Sequence, residues 1–305
     1  MRTARFIALL AFLVVAPVTP CRAAGVPQGV FEDCAGDDGQ PRCIARLRTI
    51  AAGGFGLIVN YSQFYASADD VRADAAEAVA AGVRIIWNFS EPAFYDGTDL
   101  RAHFASLAKT CACSDNAGFI AYAVGLVRTS PATWGYYIAD EAAPSDRTRV
   151  RALRDALRRL DPAHPALLIA IGDPSSAIAD AHLEPLADLA DVVGADYYPV
   201  GANEPIGSLA RVGANVAATA ARHGKRTAAV LQAFSWGQYP DQTSVCTPLP
   251  ACARYPTPDE MRSMRDLVLT YERPSMILWY SFFDIMRSNN PRRHWADLRQ
   301  AAFAP

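Results

Sequence analysis

From residue 28 onward, short runs of consecutive apolar residues alternate with longer stretches whose apolar positions recur every three or four residues. Phe55 to Tyr61, Val83 to Phe89, Trp134 to Ala139 and Ala166 to Ile171 have the composition of strands buried on both faces. Gly29 to Asp33 begins this series, and Asp191 to Tyr198, Thr227 to Phe234 and Met276 to Phe283 complete it. Between them the spacing predicts helices over 44–52, 69–81, 100–109, 117–127, 147–160, 176–190, 208–222, 258–271 and 295–303. Gly53-Gly54, Gly82 and Gly224 stop three of these helices, and Ser145 is the expected N-cap of the helix over 147–160. Eight apolar strands with helices between them predict an α/β fold, a single (β/α)8 TIM barrel. A doubly wound open sheet is the alternative, but it would carry a Gly-rich phosphate loop after its first strand, and this chain has none.

The first two dozen residues stand apart from this alternation. Arg2 and Arg5 precede an apolar stretch from Phe6 to Val15, then Pro17, Pro20 and the small pair Ala23-Ala24. That is the pattern of a cleaved secretory signal over 1–24, leaving 25–305 as the barrel in a secreted or periplasmic protein. Cys21 as a lipid anchor fits less well, because Pro20 directly precedes it. A net charge of −2 and the absence of a basic run argue against nucleic acid or an anionic membrane as partner, and a monomer is expected. Seven cysteines become six once Cys21 is removed, clustered as Cys34 with Cys43, Cys111 with Cys113, and Cys246 with Cys252. In an exported chain these imply disulfides. The Cys111–Cys113 pair would close a strained ring around one residue. No cluster has a histidine at ligand spacing, so zinc is not expected, and neither is any other metal or cofactor.

Barrel sites are built at the C-terminal ends of the strands. Those ends carry Glu32 and Asp33, Asn60 and Tyr61, then Trp87, Asn88 and Glu91. Asp140 and Glu141 follow the fourth strand, Asp173 the fifth, and Asp196 and Tyr198 lie on the sixth. Gln232 and Trp236 belong to the seventh, and Trp279 and Asp284 to the eighth. Aromatic faces beside amides and carboxyls suit a sugar ring, which has apolar C–H faces and a rim of hydroxyls. Each residue also has a plainer reading: Asn60 and Asn88 as loop ties, Tyr61 and Trp87 as barrel caps, Asp284 as an acceptor for backbone amides.

On these residues the chain resembles the glycoside hydrolase superfamily of barrels, in particular the large clan with catalytic glutamates after strands four and seven. Asp140-Glu141 stands where that clan reads Asn-Glu, and Gly194-Ala-Asp-Tyr-Tyr198 where it often reads Gly-x-Asn-Tyr-Tyr. Trp279 matches a strand-eight tryptophan that lies under the reactive sugar. The resemblance implies Glu141 as general acid, with a poly- or oligosaccharide as substrate. It fails at strand seven, where Gln232 replaces the nucleophilic glutamate.

Three routes remain open. Asp196 or Asp284 could act with Glu141 as a direct nucleophile, or Asp196, Asp284 or Glu32 could activate water for inversion. Alternatively, adjacent Asp140 and Glu141 resemble the dyad of substrate-assisted hexosaminidases, in which Glu protonates the leaving oxygen and Asp orients an attacking acetamide, with Tyr198 near the acetamide oxygen. A catalytically inert glycan-binding barrel is the rival from another class. A lyase or esterase is the remaining class, but no Gly-x-Ser-x-Gly elbow or Ser-His-Asp set is present.

Overall fold

The computed structural model describes residues 25–33, 44–175, 181–202, 204–239, 241 and 254–303. The expected signal segment, Cys34, Cys43, Cys246 and Cys252 lie outside the described residues. Eight strands, β1 (Gln28–Glu32), β2 (Leu57–Asn60), β3 (Arg84–Asn88), β4 (Thr133–Asp140), β5 (Ala166–Ile171), β6 (Val192–Tyr197), β7 (Arg226–Gln232) and β8 (Met276–Tyr280), pair in parallel in chain order. β8 returns to β1 and closes the barrel. The fold is a single (β/α)8 TIM barrel.

The helical layer comprises α1 (Ile44–Ala52), α2 (Ala68–Ala81), the short α3 (Leu100–His103) and α4 (Ala105–Ala108), α5 (Asn116–Val127) and α6 (Arg147–Leu160). It continues with α7 (Leu209–His223), α8 (Pro258–Tyr271), α9 (Phe282–Arg287) and α10 (Pro291–Phe303). Successive strand side chains point to opposite faces. Phe31, Val59, Tyr137, Ile169, Val230 and Leu278 fill the barrel interior. Val30, Ile58, Leu168, Leu231 and Ile277 pack outward in the helix-side core. Because both faces are buried, the strands read as unbroken apolar runs.

Local details depart from the sequence expectations. The expected helix over 100–109 is split at Phe104, whose φ and ψ of −105° and 53° are not helical. Ser145 is not an N-cap. It lies in a 3-10 turn, Pro144–Asp146, that runs directly into α6. Within 176–190, the described part includes a 3-10 turn at Ala187–Leu189. The last strand stops at Tyr280, not Phe283, because the Ser281 hydroxyl accepts the Asp284 N–H at 3.2 Å and opens α9. α10 starts at Pro291, four residues before the expected Trp295. Cys111 and Cys113 are paired as a disulfide between α4 and α5. No helix among the described residues is long and apolar enough to cross a membrane.

Candidate active site

β4 carries the decisive irregularity. Its register against β5 shifts between Tyr137 and Ala139, so Ile138 is an extra residue, the arrangement of a β-bulge. Ile138 and Ala139 both pack toward the helices, and Tyr137 and Asp140 both turn into the barrel. One residue later the chain leaves the strand: Glu141 has a φ of 50°, in the left-handed region, and its N–H donates to the Ile169 carbonyl at 2.9 Å. Strict alternation would send Asp140 and Glu141 to opposite faces. The bulge and this turn bring both to one cavity of about 320 Å3 at the C-terminal mouth.

Each of the two carboxyls has its own setting. Asp140 accepts from the Tyr137 hydroxyl at 2.6 Å and from the Tyr61 hydroxyl at 2.8 Å. Burial raises its pKa above the usual carboxyl value, the two tyrosines oppose that rise, and the charge of Glu141 adds to it. Glu141 is exposed at the mouth.

The third carboxyl is Asp196 on β6, buried at 7 % exposure. It lines the same cavity as Glu141, Asp140 and Tyr198. Burial pushes it well above the normal carboxyl range, and the charge and contact of Glu141 push it further. Asp196 is therefore a buried carboxyl that favours its protonated form at the cavity wall.

Aromatic residues make the remaining walls. Tyr198, Trp236 and Tyr280 line the cavity with Phe31, Phe234 and Tyr239. The Trp236 indole N–H donates to the Tyr198 carbonyl at 3.3 Å, which fixes its ring on the rim. Among the described residues, no group of three His, Cys, Asp or Glu side chains is placed to hold a metal ion.

Several candidates fall outside this cavity. Trp87 is fully buried on the helix side, donating to the Thr133 hydroxyl at 2.9 Å. Trp279 is also fully buried there, bound to Gln28 at 2.8 Å, and its neighbour Tyr280 is the residue that faces the cavity. Asn60 and Asn88 accept the N–H two residues ahead, at Ser62 and Ser90, and so tie down loops.

Gln232 is fully buried with its amide engaged on the Val200 N–H and carbonyl at 2.8 and 2.9 Å. It clasps the loop after β6. Asp284 lies behind the wall, accepting from Tyr239 at 2.6 Å and Ser281 at 2.5 Å. Glu32 is buried against Arg46 at 2.8 Å, and neither Glu32 nor Asp284 opens on the cavity, so neither is placed to activate water there.

Tyr137, Tyr239, Tyr280, Phe31 and Phe234 are cavity residues that strand-end reading does not single out. A one-residue shift of face would have found Tyr280. Tyr239 lies in a 3-10 turn's exit, where no periodicity applies.

Several solved structures share this architecture. A candidate alpha-L-fucosidase from Bacteroides thetaiotaomicron aligns over 99% of both chains at 12% identity, with a TM-score of 0.63. An endoglucanase from Pseudomonas stutzeri, in complex with cellobiose, aligns over 90% of this chain and 92% of its own at 14% identity and a TM-score of 0.57. A glycoside hydrolase family 5 protein from Bacteroides vulgatus aligns over 90% and 64% at 12% identity, TM-score 0.59. The likeness is one of fold. No protein-family model matches the chain, and no curated protein does.

Proposed function

We propose that the protein is a secreted glycoside hydrolase that cleaves O-glycosidic bonds of a poly- or oligosaccharide, with Glu141 as general acid. The observation that carries this is the meeting of three carboxyls, Glu141, Asp196 and Asp140, in one aromatic cavity at the barrel mouth. The carbohydrate activities named for the structural neighbours lend support.

In this reading Asp196, which burial keeps protonated, is the proton store beside Glu141. A sugar entering the cavity excludes water, and the proton passes to Glu141, the arm that faces the glycosidic oxygen. Asp196, left ionised, shares the cavity wall with Tyr198. Carboxyls that straddle a glycosidic bond stand roughly 5–5.5 Å apart for retention and 6.5–9.5 Å for inversion. In this reading Asp196, once ionised, serves as nucleophile or base.

The bulge at Ile138 favours one second reading, substrate assistance, because it aims Asp140 into the cavity beside Glu141. There Asp140 would orient a 2-acetamido group and no enzymic nucleophile would be needed.

A reducing-sugar screen across polysaccharides, run beside Glu141→Gln, tests the proposal. The expected result is hydrolysis by the native protein and a loss of roughly 100- to 10,000-fold in the variant, with glycan binding and melting temperature retained. Unchanged activity per folded molecule would exclude Glu141 as the acid. Binding without hydrolysis by the native protein would point to an inert glycan-binding barrel. Export implies disulfides at Cys34–Cys43 and Cys246–Cys252, each worth roughly 2–3 kcal/mol by loop closure. Mass mapping of the non-reduced protein is expected to find both, and free thiols at Cys34 or Cys246 would refute that part.

A further inference from the structure

Behind one wall of the catalytic cavity lies a second cavity, of about 470 Å3. The wall is the stretch from Ser235 to Tyr239. Trp236 and Tyr239 face the first cavity, and Ser235, Gly237 and Gln238 face the second. The second cavity is lined by Arg254, Arg287, Arg293 and His294, against a single carboxylate among the described residues, Asp297.

The counter-charges do not use up these cations equally. Arg254 is forked onto Glu260, both bonds at 2.7 Å. Arg287 stacks over the Phe283 ring at 4.8 Å and meets Asp33 at 3.5 Å. Arg293 meets Asp297 at 3.7 Å, and its side chain stays 74 % exposed. That distance exceeds the roughly 2.7–2.9 Å of a charge-assisted hydrogen bond, so the Arg293 fork is open to a better acceptor. α10 opens at the same place, adding the positive end of its dipole beside Arg293 and His294. The His294 ring stacks on Tyr255 at 3.8 Å, and its Nδ1 lies 3.0 Å from the Ser288 hydroxyl.

We propose that this cavity is an anion subsite, taking the carboxylate or sulfate group of an acidic glycan whose adjoining sugar lies against Glu141. The proposal rests on the glycosidase reading above. The planar guanidinium fork matches the paired oxygens of either group, and the hydroxyls and amides of Ser235, Gln238, Asn289 and Thr257 suit a sugar rim.

Titration calorimetry on full-length protein carrying Glu141→Gln, which prevents turnover, tests it. The probes are tetragalacturonate and a chondroitin sulfate tetrasaccharide, with cellotetraose as neutral control and inorganic sulfate as free-anion control. At least one acidic probe is expected to bind more tightly than cellotetraose. Adding Arg293→Ala is expected to weaken that binding by roughly tenfold while leaving cellotetraose unaffected.

NMR titration of His294 gives an independent reading. Burial first, and Arg293 to a lesser degree, hold the imidazole below its usual pKa, against the pull of Asp297. A bound anion is expected to raise it. Equal binding of acidic and neutral probes, or no effect of Arg293→Ala, overturns the proposal. A response to inorganic sulfate without binding of either acidic glycan overturns it as well, leaving a free-anion site. Failure of the glycosidase reading would look different: no probe is hydrolysed by the native protein, while the Arg293-dependent binding persists.

Discussion

Asp140 shows how single hydroxyls set the chemistry of this mouth. Burial drives its carboxyl up, and the Tyr137 and Tyr61 hydroxyls hold it down. Tyr137→Phe removes one of those donors and leaves the ring. If turnover needs ionised Asp140, the acid limb of the kcat/KM profile is expected to move to higher pH, since more alkaline conditions are then required to ionise it. A profile that does not move would show that Asp140 has no ionised role, which would remove the substrate-assisted route. The sequence made Asp140, Glu141, Asp196, Tyr61, Tyr198 and Trp236 legible as residues at strand ends. It could not separate Trp279 from Tyr280, or show that Trp87 faces the helices, because a strand buried on both faces carries no polar alternation to mark inside from outside. Nor could it show that Gln232 is occupied by Val200, a contact across 32 residues of chain.

At the scale of elements, the apolar runs and the helical spacing were enough to place eight strands in order around a closed barrel. What they could not place was the extra residue in β4, since Ile138 and Ala139 look like any other strand positions. Helix starts were legible where the cap chemistry was local, as with Thr257 and Glu260 ahead of α8, which form a reciprocal capping box. They were missed at Ser281, where the apolar Phe282 and Phe283 continue the look of a strand. Close approach between strands has a direct test at Gly194. A Cβ there would run into the Ala228 carbonyl on β7 and the Ile169 side chain on β5. Gly194→Ala is expected to destabilise the barrel by about 1–3 kcal/mol, read as a lowered urea midpoint with unchanged slope. A midpoint equal to that of the native protein would contradict this packing.

Over the whole molecule, buried acids give stability a definite pH dependence. Glu272, which caps the end of α8 before β8, is buried, and that burial pushes its pKa from 4.5 up to about 8, with a Thr227 hydrogen bond opposing. Asp196 and Asp140 are shifted in the same direction. Between pH 4.5 and 8 the folded protein keeps the Glu272 proton that the unfolded chain has lost. The Glu272 contribution to stability is therefore greatest at the acid side of that window and falls as pH rises toward 8. The contribution is on the order of a few kcal/mol. Glu272→Gln is expected to flatten the difference between urea midpoints at pH 5 and pH 8, and an unaltered difference would assign the slope to other groups.

The seam between β1 and β8 has a consequence for how the chain comes into being. Gln28 and Trp279 are joined by a buried hydrogen bond at 2.8 Å across 251 positions. Until the ribosome has released the segment around Trp279, β1 has no partner on that side, and two sheet edges stand open to other chains. The half-made protein is thus a sticky thread without the complete cavity at its mouth, because Phe31 and Tyr280 stand on opposite banks of the unclosed seam. Closure of the seam then completes the barrel and the cavity at its mouth in one late event.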